Sequence, residues 1–106
     1  MRLEVIAVDE ISSCIQEVVK SYPVRKVALF GSAARGELTD TSDIDVIVEF
    51  DPGSRGILFF GLWEDLQQAL KRSVDLIEYP ALTGIARPQF RENVLRDERV
   101  IYERPG

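Results

Sequence analysis

Two stretches of the chain carry apolar residues at helical spacing, and each predicts an amphipathic helix. In the first stretch these residues are Val8, Ile11, Ile15, Val18 and Val19. Pro23 ends this helix, because the residue before a proline is pushed out of the helical conformation. In the second, which ends near Arg72, they are Phe59, Leu62, Trp63, Leu66 and Leu70. A last helix is predicted from Pro88 to Asp97, with Phe90, Val94 and Leu95 facing inward.

Four shorter segments are typical of strands. Arg25–Phe30 is almost continuously apolar, as expected of a strand buried on both faces. Ile44–Phe50 alternates, so Ile44, Val46, Val48 and Phe50 share one face and Asp43, Asp45, Ile47 and Glu49 the other. Ser73–Tyr79 and Arg99–Glu103 complete the set. The order predicts an α/β (α+β) fold with a small mixed sheet flanked by helices, and one domain over residues 1–106.

The amino-acid composition excludes several kinds of active site and binding partner. There is no histidine among the 106 residues, which excludes Ser-His-Asp triads and histidine metal sites. The net charge of −5 and the absence of a basic tract argue against binding a long nucleic acid. No apolar run could cross a membrane, no signal peptide is recognisable, and Cys14 is the single cysteine. We therefore expect a cytoplasmic protein.

The first candidate site is the turn after the strand Arg25–Phe30, where Gly31 and Ser32 lead into Arg35 and Gly36. Glycine lets the backbone approach a ligand, serine adds a hydroxyl donor, and the following N–H groups can face an anion. This arrangement suits a terminal phosphate. The alternative is a plain strand-to-helix turn with a capping serine, and the lysine of a P-loop is missing.

Three carboxylates form the second candidate site. Asp43 and Asp45 share a strand face with Cα atoms roughly 6.5 Å apart, and such a pair can bracket two cations. Oxygen ligands suit Mg²⁺. If the strand Ser73–Tyr79 lies beside them, Asp75 can join the site and accept a proton from an attacking hydroxyl. The alternatives are a solvated strand face for the pair and an exposed edge strand for Asp75.

The cations and the tryptophan leave more than one interpretation open. Arg35 can reach a phosphate or pair with Glu37. Arg55 lies in a loop and can meet the nucleotide or be solvated, and the second interpretation is favoured because loops expose arginines. Arg87 and Arg91 are interpreted as surface residues. Trp63 is predicted to lie in the core, not to serve as a base-stacking platform, because it shares the helical stripe of its neighbours.

Taken together, Gly31-Ser32, then Asp43-Ile44-Asp45, then Asp75 resemble the signature of the minimal nucleotidyltransferases, within the DNA polymerase beta-like superfamily. The resemblance implies a polymerase beta-like fold, ATP or another nucleoside triphosphate as substrate, and two Mg²⁺ ions. It also implies that Gly31 and Ser32 hold the triphosphate, while all three aspartates bind metal and act in catalysis.

Members of that family are often antitoxins, and some silence a helical HEPN-domain toxin by adenylylating a tyrosine on it. The resemblance implies such a partner here. An acidic surface would also suit a basic partner. Two alternatives remain: a non-catalytic antitoxin that neutralises its partner by contact, and transfer to a small molecule, for which the chain offers no second domain.

Overall fold

The computed structural model describes residues 8–39, 42–52, 58–79, 96 and 98–104. Along these ranges the elements are α1 (Val8–Val19), β1 (Val24–Phe30), α2 (Gly31–Ala34), β2 (Ile44–Phe50), α3 (Phe59–Leu70), β3 (Val74–Glu78) and β4 (Arg99–Glu103). These positions match the predicted helices and strands closely. The predicted last helix, 88–97, lies outside the described residues except for Arg96.

The four strands form one mixed sheet in the order β3-β2-β1-β4. β1 is antiparallel to both β2 and β4, whereas β2 is parallel to β3. Parallel neighbours need a crossover connection, and α3 lies in the connection between β2 and β3. The predicted mixed sheet with helices is therefore confirmed.

The main core lies between one face of the sheet and the helices α1 and α3, which pack against each other. Ile44, Val46, Val48 and Phe50 all belong to this core, as the alternation along β2 predicts. Residues of the opposite face include Phe30 and Ile47, which form a second small apolar cluster. Because side chains alternate along a strand, Asp43 and Asp45 lie on this second face.

α3 covers the outer edge of β3 with two polar groups. The Trp63 indole N–H donates a hydrogen bond to the Val74 carbonyl at 2.8 Å, and the Val74 N–H donates to Gln67 Oε1 at 3.1 Å. An unpaired strand edge is thereby partly satisfied. The predicted core position of Trp63 is wrong: its exposed fraction is 37%, because its N–H needs the carbonyl at the sheet's edge.

Candidate active site

The turn after β1 has the conformation that its glycine suggests. Gly31 has φ +62°, in the left-handed region that favours glycine. The chain then forms the short helix α2, whose Ala33 is fully buried and anchors the turn to the core. Gly36, at φ +70°, redirects the chain after α2. The turn is thus held at the end of β1 by the packing of small side chains of α2, since Ala34 also packs against the core.

Asp45 lies directly against this turn. A Cβ atom added at Gly31 would stand 2.5 Å from Asp45 Oδ2, closer than any carbon and oxygen atom can approach without a shift. In the sheet, Asp45 is paired with Phe30 of β1 on one side and with Asp75 of β3 on the other. The structure therefore brings three of the predicted site residues together: Gly31, Asp45 and Asp75.

The surroundings of Asp45 disfavour its ionised form. Desolvation by burial is the main cause, and the charges of Asp75 and Asp43 add to it, while Arg35 opposes them. Together these effects raise the pKa of Asp45 to about 6. Asp43 and Asp75 themselves are exposed. The half-buried Asp45 thus lies within the negative field of two exposed carboxylates, which is a setting that favours the binding of a cation.

The chemistry of the donor set fits Mg²⁺, because the three side chains offer only carboxylate oxygens, and the absence of a Cβ at Gly31 makes room for the carboxylate of Asp45. Among the described residues, no three Asp, Glu, Cys or His side chains converge tightly enough to hold a metal ion by themselves. A cation here would therefore take its remaining ligands from water and from phosphate oxygens, as Mg²⁺ does in nucleotide sites. The metal assignment of Asp43, Asp45 and Asp75 stays a prediction.

Both alternatives for Arg35 have some support. Its Nε lies 2.8 Å from Glu37 Oε1 in an exposed ion pair, and its charge also lowers the pKa of Asp45. Exposed pairs of this kind contribute little stability, so a phosphate could replace Glu37. Ser32 lies partly exposed next to Gly31. Their predicted contacts with nucleotide stay predictions, and Arg55, Arg87 and Arg91 lie outside the described residues.

Arg72 is a residue of the site's surroundings that the sequence pattern did not reveal, since the pattern marks it only as the end of a helix. Its guanidinium Nη2 donates hydrogen bonds to the carbonyl oxygens of Thr39 and Ser42, and Ser42 immediately precedes Asp43. The one available signal was an arginine placed between the helical stripe and the strand that carries Asp75. Such a position does not reveal which distant carbonyl groups the side chain contacts.

A left-handed glycine turn beside carboxylates on β2, β3 and the residue before β2 is typical of a nucleotide-handling enzyme. The family model described as "Polymerase beta, Nucleotidyltransferase" matches residues 13–105. The chain is also 33% identical, over 97 residues, to the protein adenylyltransferase MntA of Thermococcus cleftensis, covering 87% of this chain and 98% of that protein. The chain belongs to this nucleotidyltransferase family, and the predicted enzyme class, a nucleotidyltransferase, is confirmed.

Two solved structures share the fold. A toxin–antitoxin structure with AMP-PNP has a TM-score of 0.69 at 22% identity, covering 88% of this chain and 73% of that one. The MNT antitoxin in complex with a tri-AMPylated HEPN toxin of Shewanella oneidensis has a TM-score of 0.65 at 19% identity, with coverages of 92% and 73%. The predicted polymerase beta-like fold is thus confirmed. No helix in the described part of the chain is long and apolar enough to span a membrane.

Proposed function

We propose that this protein is an antitoxin that transfers AMP from ATP, with Mg²⁺, to a tyrosine hydroxyl of a HEPN-type toxin. The observation that carries the proposal is the position of Asp45, which lies against Gly31 and is paired with Asp75 in the sheet. A phosphate bound at the turn and a cluster of carboxylates are all anionic, so they attract each other only through a cation. The proposal therefore includes both a nucleoside triphosphate and a metal.

In this proposal Asp43, Asp45 and Asp75 hold the metal, which neutralises charge on the triphosphate when bound. Gly31 lets the backbone of the turn approach the phosphates, and the Ser32 hydroxyl and the Arg35 guanidinium donate hydrogen bonds to their oxygens. The acceptor hydroxyl oxygen bonds to the α-phosphorus as the bond to the bridging β-phosphate oxygen breaks. Pyrophosphate leaves, and Asp75 accepts the hydroxyl proton. Positioning and charge neutralisation supply most of the rate enhancement.

Relatives support the choice of acceptor and partner. One relative is named a protein adenylyltransferase, and one structural neighbour is a complex with a tri-AMPylated HEPN toxin. The net charge of −5 is consistent with docking on a basic partner such as an RNA-cleaving toxin. We also infer that residues 1–106 form one nucleotidyltransferase domain, since the family match extends over 13–105.

The test is the intact mass of a HEPN-domain protein that co-purifies with this chain or is encoded beside it. The protein is incubated with this chain, Mg²⁺ and each of the four nucleoside triphosphates in turn. We expect a gain of one or more AMP units with ATP, and none after the acceptor tyrosine is replaced by phenylalanine. The double variant Asp43→Asn/Asp45→Asn should give no gain.

A matched control removes two carboxylates far from the site. Glu17→Gln/Glu64→Gln has the same loss of charge on exposed positions of α1 and α3, and we expect it to transfer AMP as the wild type does. Absence of any mass gain with the wild type would refute catalysis. If the toxin were still silenced by Asp43→Asn/Asp45→Asn, the alternative of neutralisation by contact would replace the proposal.

A further inference from the structure

We propose that Arg72 is a positioning residue that fixes Asp43 through the backbone on its N-terminal side. This inference rests on the proposed function, because it concerns the metal-binding carboxylates of that site. Arg72 lies between α3 and β3, and Lys71 before it adopts the left-handed conformation, with φ 56°, that turns the chain from helix to strand. The Arg72 N–H bonds to the Gln67 carbonyl at 3.4 Å, so the backbone at its base is tied to α3.

The guanidinium reaches the segment that leads into β2. Its Nη2 donates to the carbonyl oxygens of Thr39 and Ser42, which lie 33 and 30 residues away along the chain. Thr39 and Ser42 are themselves joined, because the Thr39 N–H lies 3.2 Å from Ser42 Oγ and their two hydroxyl oxygens are 3.0 Å apart. Arg72 therefore closes a small network at the residue immediately before Asp43.

Ile44, the residue after Asp43, is held by Ser73, which directly follows Arg72 in the chain. The Ile44 N–H donates to the Ser73 carbonyl at 3.1 Å. Asp43 is thus flanked by two backbone contacts, one from the Arg72 side chain to Ser42 and one from the Ser73 backbone to Ile44. Val74 and Asp75 follow directly, so the segment that carries one carboxylate also fixes the position of another.

The burial of Arg72 distinguishes this contact from a surface interaction. Its Nη1 is buried and has no hydrogen-bond partner within the described part of the chain, whereas the side chains of Arg35, Arg99 and Arg104 are about half exposed. Burial of a charged group costs free energy unless hydrogen bonds compensate for it. The two hydrogen bonds from Nη2 to carbonyl groups offset part of that cost.

Arg72 does not itself touch the reacting groups. It lines a groove with Glu10, Cys14 and Ile44, and the Ile44 side chain lies in the core that faces α1 and α3. Asp43 and Asp45 project from the other face of β2. Arg72 therefore acts through the backbone, in the way that outer-shell residues orient metal ligands.

The test compares Arg72→Met, Arg72→Lys and the neighbouring exposed charge variant Lys71→Met with the wild type. The readout is Mn²⁺ binding to the free protein, followed by electron paramagnetic resonance. We expect Arg72→Met to weaken Mn²⁺ binding on the order of tenfold, as loss of an outer-shell partner does. Arg72→Lys should weaken it less, because an ammonium group can still donate to a carbonyl, and Lys71→Met should match the wild type.

A second arm separates positioning from general destabilisation. If Arg72 acts through Asp43, Arg72→Met should cause no further loss of Mn²⁺ binding in an Asp43→Asn background, since coupled residues are not additive. Amide hydrogen exchange of Ile44 should also be faster in Arg72→Met than in Lys71→Met. An additive loss, or Mn²⁺ binding by Arg72→Met within twofold of the wild type, would overturn the proposal.

Should Arg72→Met fail to fold, the comparison is made with Arg72→Lys alone, in both the wild-type and the Asp43→Asn background. Wild-type affinity in Arg72→Lys together with unchanged Ile44 exchange would then overturn the proposal. These measurements need no toxin. Absence of AMP transfer by the wild type would therefore refute the proposed function without deciding the role of Arg72.

Discussion

Gly31 and Asp45 are in contact at the centre of the site, and each restricts the other. The left-handed backbone of Gly31 favours a residue without Cβ, and the carboxylate of Asp45 occupies the space that a Cβ would need. Either constraint alone would favour glycine. Because both constraints act on Gly31, this one residue links the turn to the carboxylate cluster.

We expect Gly31→Ala to lower AMP transfer at least about tenfold, because a displaced ligand costs more than 1.4 kcal/mol of transition-state stabilisation. It should also destabilise the fold by about 1–2 kcal/mol from the left-handed backbone alone. Transfer rates and urea unfolding measure the two effects. The rate is taken per folded molecule, under conditions in which the variant remains folded.

Gly36→Ala is the matched control, because Gly36 also has a positive φ, at +70°. It should show a similar loss of stability with a much smaller effect on transfer. Equal rates for Gly31→Ala and the wild type would mean that the carboxylate of Asp45 moves aside without cost, and that its contact with the turn is not needed.

At the scale of elements, α3 supports the site in three ways. Its side chains Trp63 and Gln67 bond to the backbone of Val74, and its C-terminal turn delivers Arg72 to the segment before Asp43. It also connects the two parallel strands that carry Asp45 and Asp75. The geometry of the carboxylates therefore depends on where α3 ends and how the chain leaves it.

The C-terminal cap of α3 offers a direct stability test. Lys71 has φ 56° and its N–H bonds to the Gln67 carbonyl, a conformation in which glycine is normally found. We expect Lys71→Gly to raise the free energy of unfolding by about 0.5 kcal/mol, since relief of the left-handed strain exceeds the entropy gained by the unfolded chain. Urea denaturation measures the change.

Lys71→Ala serves as the comparison, because it removes the same side chain but keeps a Cβ. It should give no comparable gain. A destabilised Lys71→Gly with unchanged Lys71→Ala would show that the conformation of Lys71 is not a source of strain.

At the scale of the whole molecule, the acidic site destabilises the folded state of the metal-free protein. The chain carries 18 acidic and 13 basic side chains, and the described acids nearest Asp45 gather on one face of the sheet. Burial and the charges of Asp75 and Asp43 raise the pKa of Asp45 to about 6. Ionisation of Asp45 therefore costs the folded state free energy that the unfolded chain does not lose.

The sign of the pH dependence follows from that shift. An unfolded aspartate has a pKa of about 3.9, so between that pH and about pH 6 the folded state holds the Asp45 proton more tightly than the unfolded chain does. Stability consequently falls as the pH rises through this window. In metal-free buffer we expect Asp45→Asn to be more stable than the wild type, by a margin that grows on the order of 1 kcal/mol from about pH 5 to pH 7.5.

Urea unfolding at the two pH values measures this margin, and Glu64→Gln controls for the loss of one exposed carboxylate. The control should show a similar, small difference from the wild type at both values. A margin for Asp45→Asn that stays constant with pH would mean that Asp45 is ionised in the fold without penalty.

Local pattern was enough to predict most of the fold. The alternation in β2 assigns Val46 to the core and Asp45 to the other face, and both positions are confirmed. The condition for Asp75 to join the site, that its strand lies beside that of Asp45, is met. Such predictions succeed because the periods of strands and helices are properties of the backbone, so a few consecutive residues are enough to show which side chains share a face.

The position of Trp63 shows where this reasoning fails. Helical spacing places Trp63 on the apolar stripe of α3. In the structure, however, its indole N–H donates a hydrogen bond to the Val74 carbonyl on the edge of β3, so the side chain lies at the boundary of the core. Which backbone groups remain unpaired depends on the order of strands in the sheet. That order is not a property of any local segment.

The sequence by itself determined the elements, the face on which each carboxylate lies and the class of chemistry, because these depend on residue type and on short-range spacing. Only the tertiary structure decided that Asp45 fills the space beside Gly31, that its pKa is raised, and that Arg72 contacts Ser42. These features arise between segments far apart in the chain. Their distances are set by strand register and helix packing, which the identities of the residues concerned do not encode.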